Sequence, residues 1–188
     1  MDTDERLDAL GFFKDGFSIC DIGCGFGYIP KYLFSKRRNI TYIGLDVKKA
    51  AIVHCENRFK NIYGYSFKRL NLHSDTYNPK SSIKADQMVF PIADESIDSI
   101  VCHSIFTHLG SEKVAKHYMD EINRVLKKDG LLWTTWFKSP PNEGSSETIR
   151  TVYKESFIDD ILSSFKRICS GGGKTTGYHD QWEVVCVK

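Results

Sequence analysis

The chain has 188 residues, 41% of them hydrophobic and 27% charged, with a formal net charge of +2. That balance describes an ordinary globular protein of one domain and excludes a disordered or fibrous chain, and it gives no reason to expect a nucleic-acid backbone as partner. No run approaches the roughly eighteen apolar residues of a spanning helix, and the acidic start Met1 to Arg6 is unlike a leader, so no membrane is expected and the cytoplasm is the expected compartment.

A short apolar patch, Leu7 to Phe13, lies in a polar N-terminal stretch. Residues 1–16 read as a helical extension of a single domain covering 1–188. Phe17 to Asp21 is the first predicted strand. Tyr28 to Phe34 follows as a helix, and Pro30 is tolerated because the first turn needs no amide donor there. Thr41 to Leu45 is a second strand ending at Asp46, and Val47 to Phe59 has helical length and spacing. Two successive strand-helix units imply parallel strands joined by right-handed crossovers. Ser66 to Leu72 is the third strand, followed by an irregular polar stretch through Tyr77-Asn78-Pro79 to Lys84. Ile97 to Cys102 is short and apolar, as in a strand buried on both faces. From Glu112 to Leu126 the apolar positions keep the spacing of an amphipathic helix, which Asp129-Gly130 stops. Leu131 to Phe137 is the fifth strand. Ser139 to Gly144 is a loop, Tyr153 to Leu162 a helix, Phe165 to Cys169 a strand, Ser170 to Gly177 a mobile glycine-rich connection, and Trp182 to Val187 the last strand. Two strands in succession without a helix predict an antiparallel pair at the sheet's end.

The six cysteines are scattered, without the Cys-x-x-Cys spacing of a zinc site, and most read as small buried residues on strands; no metal is expected. Lys36-Arg37-Arg38 and Lys127-Lys128 stand at predicted helix ends, where cations complement the helix dipole.

The first strand runs into Gly23, Gly25 and Gly27, a turn in which missing side chains let backbone approach a ligand. A dinucleotide fingerprint spaces its glycines Gly-x-Gly-x-x-Gly, whereas here the third comes one residue early and Asp21 stands two residues before the first. That spacing disfavours a nicotinamide dinucleotide. Glycines also serve purely structural turns, so the other motifs must decide. Asp46, ending the second strand about twenty residues on, suits the ribose hydroxyls with its two acceptor oxygens, or caps the next helix.

Asp21 to Gly27, Asp-Ile-Gly-Cys-Gly-Phe-Gly, resembles the first motif of the class I S-adenosylmethionine-dependent methyltransferases. Asp86-Gln87-Met88-Val89-Phe90-Pro91, with the run to Asp98, resembles that family's stretch between third and fourth strands. Ser104-Ile105-Phe106-Thr107-His108-Leu109, the Glu121 to Gly130 segment and the Tyr77-Asn78-Pro79 loop resemble a bacterial branch of it, with Ile105 for Val and Asp129 for Gly as departures. The resemblance implies an α/β, Rossmann-like class I methyltransferase fold: a mainly parallel seven-stranded sheet with a terminal antiparallel strand pair. It implies S-adenosyl-L-methionine as cofactor and S-adenosyl-L-homocysteine as product. The implied cofactor-binding residues are Asp21, Gly23, Cys24, Gly25, Gly27, Asp46, Val47, Asp86, Gln87 and Ser104. In that family the glycine loop passes under the methionine part, the first acid organises the loop and the tail's ammonium, and an acid near Asp86 accepts the adenine amino group, with Gln87 presenting backbone. Asn71 is the alternative to Asp86, which would then be a solvated loop acid. Asp98 stands at the wrong end of its strand for chemistry, and Glu121 with Arg124, three apart on one helix, reads as a structural ion pair.

For catalysis His108 is the first candidate base, because it follows the fourth strand and imidazole titrates near neutrality. His103, at the end of that strand, is the second, or else a buried histidine satisfied by backbone. Tyr28 and Tyr153 are candidates for the acceptor pocket's border. No Asn-Pro-Pro-Tyr type motif follows the fourth strand, where Cys102-His103-Ser104-Ile105 stands. The branch implies a hydroxyl of a sugar, glycan or other small metabolite as acceptor. A cofactor-binding scaffold within a larger assembly is the alternative, and RNA or protein methylation a third. So little chain precedes the first strand that a substrate lid is expected from a partner domain or oligomer.

Overall fold

A computed structural model describes residues 3–74, 77–137, 151–175 and 178–188, with backbone alone at 172–175 and 178–180. The elements are α1 (Thr3–Ala9), β1 (Ser18–Ile22), α2 (Tyr28–Ser35), β2 (Thr41–Asp46), α3 (Lys49–Phe59), β3 (Tyr65–Arg69), β4 (Ile97–Cys102), α4 (Glu112–Val125), β5 (Leu126–Phe137), α5 (Glu155–Ile161), β6 (Lys166–Thr175) and β7 (Tyr178–Val187). Their strands form one seven-stranded sheet in the order β3-β2-β1-β4-β5-β7-β6. β1 pairs in parallel with both β2 and β4, β2 with β3 and β4 with β5, while β7 runs antiparallel to both β5 and β6.

Strand alternation splits the apolar residues between two layers. Cys20, Ile22, Leu45, Ile100, Leu132 and Trp136 join the α4 and α5 side chains on one face. Ile19, Tyr42, Val101 and Trp133 join Leu7 of α1, Leu33 of α2, and Ile52 and Phe59 of α3 on the other. Helices thus cover both faces, as a parallel sheet with nearly continuous apolar strands requires. Connections run outward in opposite directions from β1 and β4, so the crevice at their carboxyl ends is the switch point where such sheets bind ligands.

The expected seven-stranded fold and terminal antiparallel pair are present. Of the Ser170 to Gly177 stretch read from its composition as a connection, the described residues up to Thr175 belong to β6. β6 continues to Thr175, with Gly171 opposite Glu183, Gly172 opposite Trp182 and Gly173 opposite Gln181. Ladder pairing overrides the turn preference of glycine here, and register shifts near Cys169 and Thr175 absorb the irregularity. The loop predicted from Ser139 lies outside the described residues. No helix among the described residues is long and apolar enough to cross a membrane.

Candidate functional site

A cavity of about 1300 Å³ opens at the carboxyl ends of β1, β2 and β4. Its floor is the β1–α2 loop. Gly23 and Cys24 donate backbone N–H groups to the Leu45 carbonyl, at 2.7 and 3.0 Å, which fastens the loop to the end of β2. Gly25 has φ of 52° and nothing within 4 Å of the place a Cβ would take, so bare backbone borders the open cavity. A side chain there would strain the turn and intrude on the space. Gly27 is on no wall of the cavity; a Cβ on it would lie 2.8 Å from the Phe59 ring, so this glycine serves the packing of α2 on α3.

The acid that organises the loop is Asp46, not Asp21 as the resemblance implied. Asp46 Oδ2 accepts from Gly25 N at 2.8 Å and Oδ1 from Lys48 N at 2.7 Å. Each oxygen keeps a further acceptor site towards the cavity, so the capping role and the ribose role are compatible. Asp21 is 2% exposed and accepts from the Tyr42 hydroxyl at 2.6 Å. Burial pushes its pKa up to about 7 against the lowering effect of Tyr42, and Asp46 and Asp4 add to the rise. No cation is among the groups that act on it.

At the other end Asp86 lies in a 3₁₀ turn, Ala85–Gln87, and pairs with Lys113 of α4 at 2.5 Å, which holds its carboxyl below the usual range. It is therefore a positioned cavity residue rather than a solvated loop acid. Gln87 is exposed, lies off the cavity wall, and donates its N–H to Lys84 O at 3.2 Å. Asn71 is also off the wall and accepts from Asn78 Nδ2 at 3.2 Å. Val47 and Cys24 line the wall.

Beyond β4 the chain turns sharply at Ser104, a non-glycine residue at φ of 57°. Such strain persists where neighbours over-determine it. Ser104 N donates to Thr135 Oγ1 at 2.8 Å, its carbonyl accepts from Thr107 Oγ1 at 2.7 Å, and Gln181 Nε2 donates to its Oγ at 3.0 Å. This turn sends His103 and His108 to the same cavity. His108 meets the edge of the Tyr77 ring, centroids 5.7 Å apart. His103 packs against Trp133 with ring centroids 5.2 Å apart and the planes tilted, and burial holds its pKa below the ordinary value. Its Nε2 is buried without a hydrogen-bond partner. Tyr28 lines the cavity at 80% exposed, whereas Tyr153 is buried between Trp136 and Phe157.

Sequence reasoning missed Trp133, Phe137 and Gln181, brought to the cavity by the pairing of β5 with β7, and Thr3, Asp4 and Leu7 of α1. Arg6 pairs with Glu183 of β7, and Asp8 with Arg38 at 2.7 Å and the Tyr32 hydroxyl at 3.0 Å. These ties hold α1, whose Thr3, Asp4 and Leu7 line the cavity, against β7 and the α2 region. Tyr77 had a signal, the Tyr-Asn-Pro loop. Asn78 within that loop is 8% exposed and bonds to Leu72 O and Arg69, which fixes Tyr77 in place.

The site fits S-adenosylmethionine by its own chemistry. Bare Gly25 backbone leaves room for a chain beneath it, Asp46 offers two free acceptor positions, and the buried Asp21 carboxyl suits a cationic tail.

A family model described as a methyltransferase domain matches residues 20–132, more than half of the chain. A probable cobalt-precorrin-6B C(15)-methyltransferase (decarboxylating) from Methanosarcina mazei is 31% identical over 97 residues, which is 50% of this chain and only about half, 52%, of that protein. A crystal structure of an S-adenosylmethionine-dependent methyltransferase from Methanosarcina mazei superposes with a TM-score of 0.70 at 18% identity over 96% of each chain. Haemonchus contortus phosphoethanolamine N-methyltransferase 1, solved with phosphoethanolamine and S-adenosylhomocysteine, gives 0.72 at 14% identity over 98% of this chain and 42% of that one. The structural likenesses establish the fold as that of S-adenosylmethionine-dependent methyltransferases, and the family match runs across the glycine loop, Asp46 and β4: the chain belongs to the methyltransferase-domain family.

Proposed function

We propose that this chain, acting as a single domain with α1 as its N-terminal extension, methylates a hydroxyl group of a small molecule such as a sugar, glycan or other metabolite, with His108 as general base. The observation that carries this reading is the meeting of two imidazoles and Tyr77 on the cavity wall beyond the glycine loop. The bound cofactor supplies an electrophilic methyl group on a sulfonium. The chain's residues then have mainly to align the acceptor.

In this reading Asp46 and Val47 hold the ribose and adenine side, Asp86 accepts the adenine amino group, and Gly23, Cys24, Gly25 and Ser104 border the methionine part. Asp21 faces its ammonium. His108 takes the acceptor's proton at a ring nitrogen. His103, kept neutral by burial, is the reserve base or an acceptor of a hydrogen bond from the substrate. The relative's printed reaction is methylation at a carbon, and the aligned half does not carry that acceptor over.

The test begins with calorimetric titration of S-adenosylhomocysteine. Asp46→Ala removes the acceptor for Gly25 N and for the ribose, and is expected to weaken binding by at least tenfold, since hydrogen bonds to a charged group contribute about 1.5–3 kcal/mol. Unchanged affinity would remove Asp46 from the site. An acceptor screen with hydroxylated metabolites follows. On an acceptor so found, His108→Ala should lower kcat by about a hundredfold or more with little change in KM. Unaltered turnover would reject His108 as base, and a folded protein that binds no cofactor would favour the scaffold alternative.

A further inference from the structure

Two thiols meet beneath the floor of the cavity. Cys24 belongs to the glycine loop and Cys55 to α3, and both reach the same Gly25 carbonyl oxygen, at 3.9 and 3.4 Å. Each sulfur fills the space that a glycine leaves. A Cβ on Gly44 would lie 2.9 Å from Cys24 Sγ, and one on Gly27 would lie 3.1 Å from Cys55 Sγ. Both are free thiols. Cys24 also lines the cavity, so it is reached from the side where the cofactor lies, whereas Cys55 is fully buried behind it.

Their protons are unequal. The contact with Cys55 and burial both push the Cys24 thiol up, while the contact with Cys24 brings Cys55 down in spite of burial. Cys20, Cys102 and Cys186 are buried and all pushed up by burial, the state of inert structural cysteines. The methyl-transfer chemistry uses neither Cys24 nor Cys55 as a nucleophile, which leaves an adjacent thiol pair at the cavity floor.

We infer that Cys24 and Cys55 form a reversible disulfide that turns cofactor binding off. This rests on the reading that the β1–α2 loop holds the cofactor. A sulfur of the pair attacks one oxygen of hydrogen peroxide and becomes a sulfenic acid as the other oxygen leaves, protonated, as water. The second sulfur then attacks the sulfenic sulfur, its proton goes to the departing hydroxide, and a second water leaves. Two thiols are oxidised and one hydrogen peroxide is reduced to two waters. A dithiol reductant reverses the change.

The disulfide acts through geometry. Bonded sulfurs stand about 2 Å apart, well inside non-bonded contact, so closure draws Cys24 and Gly25 towards α3. Gly25 N then leaves Asp46, and the carboxylate loses the partner that aims it at the cavity. Cofactor seated over Cys24 shields the pair, so oxidation and cofactor binding oppose each other.

The experiment treats the folded protein with hydrogen peroxide, blocks free thiols, maps linked peptides by mass spectrometry, and titrates S-adenosylhomocysteine before and after. The expected result is a Cys24–Cys55 linked peptide and an affinity lowered by about tenfold or more, restored by dithiothreitol, with slower oxidation when S-adenosylhomocysteine is present. Cys55→Ala should bind S-adenosylhomocysteine as the reduced wild type does and keep that affinity through peroxide; Cys55→Ser, closer in size, replaces it if the alanine variant does not fold. Absence of the linked peptide, its formation without loss of affinity, or equal peroxide sensitivity in the Cys55 variant would overturn the switch. A reduced, folded wild type that does not bind S-adenosylhomocysteine would instead overturn the reading of the site, while the peptide map still judges the disulfide.

Discussion

Asp21 shows how a single buried residue links proton, cofactor and stability. Burial raises its pKa to about 7 from an ordinary 3.8, so the native state binds this proton more tightly than the unfolded chain does. The stability that follows is fully present below pH 3.8 and is lost as pH rises through about 7, a contribution on the order of 4 kcal/mol. The ligand-free protein is therefore expected to melt at lower temperature at pH 8 than at pH 5 by more than an Asp21→Asn variant does. The amide still accepts from Tyr42 but carries no titrating proton. A cationic tail beside Asp21 favours the carboxylate, so affinity for S-adenosylhomocysteine should rise between pH 5 and 7.5. Parallel melting profiles for the two proteins would show that Asp21 is ionised throughout. Its place in the motif was legible from the sequence, but its task was not. The hydroxyl that meets it comes from Tyr42 on the neighbouring strand, and no spacing rule along the chain marks that contact.

At the scale of elements, α4 frames the segment from Ala85 to Asp94 that carries Asp86. Arg124 donates to Ile92 O, Asp94, Phe90 O and both oxygens of Glu121, and Glu121 accepts from Phe90 N at 2.7 Å. One helical turn after another, Lys113 holds Asp86 and His117 meets Met88 O at 2.5 Å. Arg124→Met should cost about 2 kcal/mol in urea unfolding, below the 3–5 of a fully buried pair because the guanidinium is partly exposed, and should also weaken S-adenosylhomocysteine binding as the segment loosens. A loss under about 0.5 kcal/mol would reduce the clasp to a surface pair. Burial alone would raise the Glu121 pKa, but Arg124 and the Phe90 amide outweigh it and hold it low, so this part of the stability is lost only in acid, as pH falls through that lowered value. Periodicity located α4 almost to the residue, and the three-residue spacing exposed the ion pair. The bonds to Phe90 and Ile92 cross some thirty residues of chain and had no local trace. The error at β6 has the opposite cause, since three glycines are a strong local signal for a turn and the pairing with β7 is a non-local fact that overrides it.

For the whole molecule, the alternation of strands and helices was enough to deduce the parallel half of the sheet and the terminal antiparallel pair, but not that β7 would insert between β5 and β6. That insertion places Gln181 beside Ser104 and gives α1 its anchor at Glu183, so this side of the cavity depends on β7. The cavity wall accordingly draws on α1, β1, α2, β2, α4, β5 and β7, with His103, Ser104 and His108 from the turn after β4 and Tyr77 from the loop after β3. A ligand filling it ties both halves of the sheet together and must stabilise the fold as a unit. At a free concentration a hundred times its dissociation constant, a ligand specific to the native state adds about 2.7 kcal/mol. A domain of this size gains roughly 2–4 °C in Tm for each kcal/mol, so S-adenosylhomocysteine should raise the single unfolding transition by about 5–10 °C. Adenosine, which lacks the tail that Asp21 and the glycine loop would hold, should give a much smaller rise at equal concentration, and Asp46→Ala should respond weakly to either. Equal shifts from adenosine and S-adenosylhomocysteine would mean that the glycine loop and Asp21 contribute nothing to binding, because the two ligands differ only in the part of the cavity that those residues enclose.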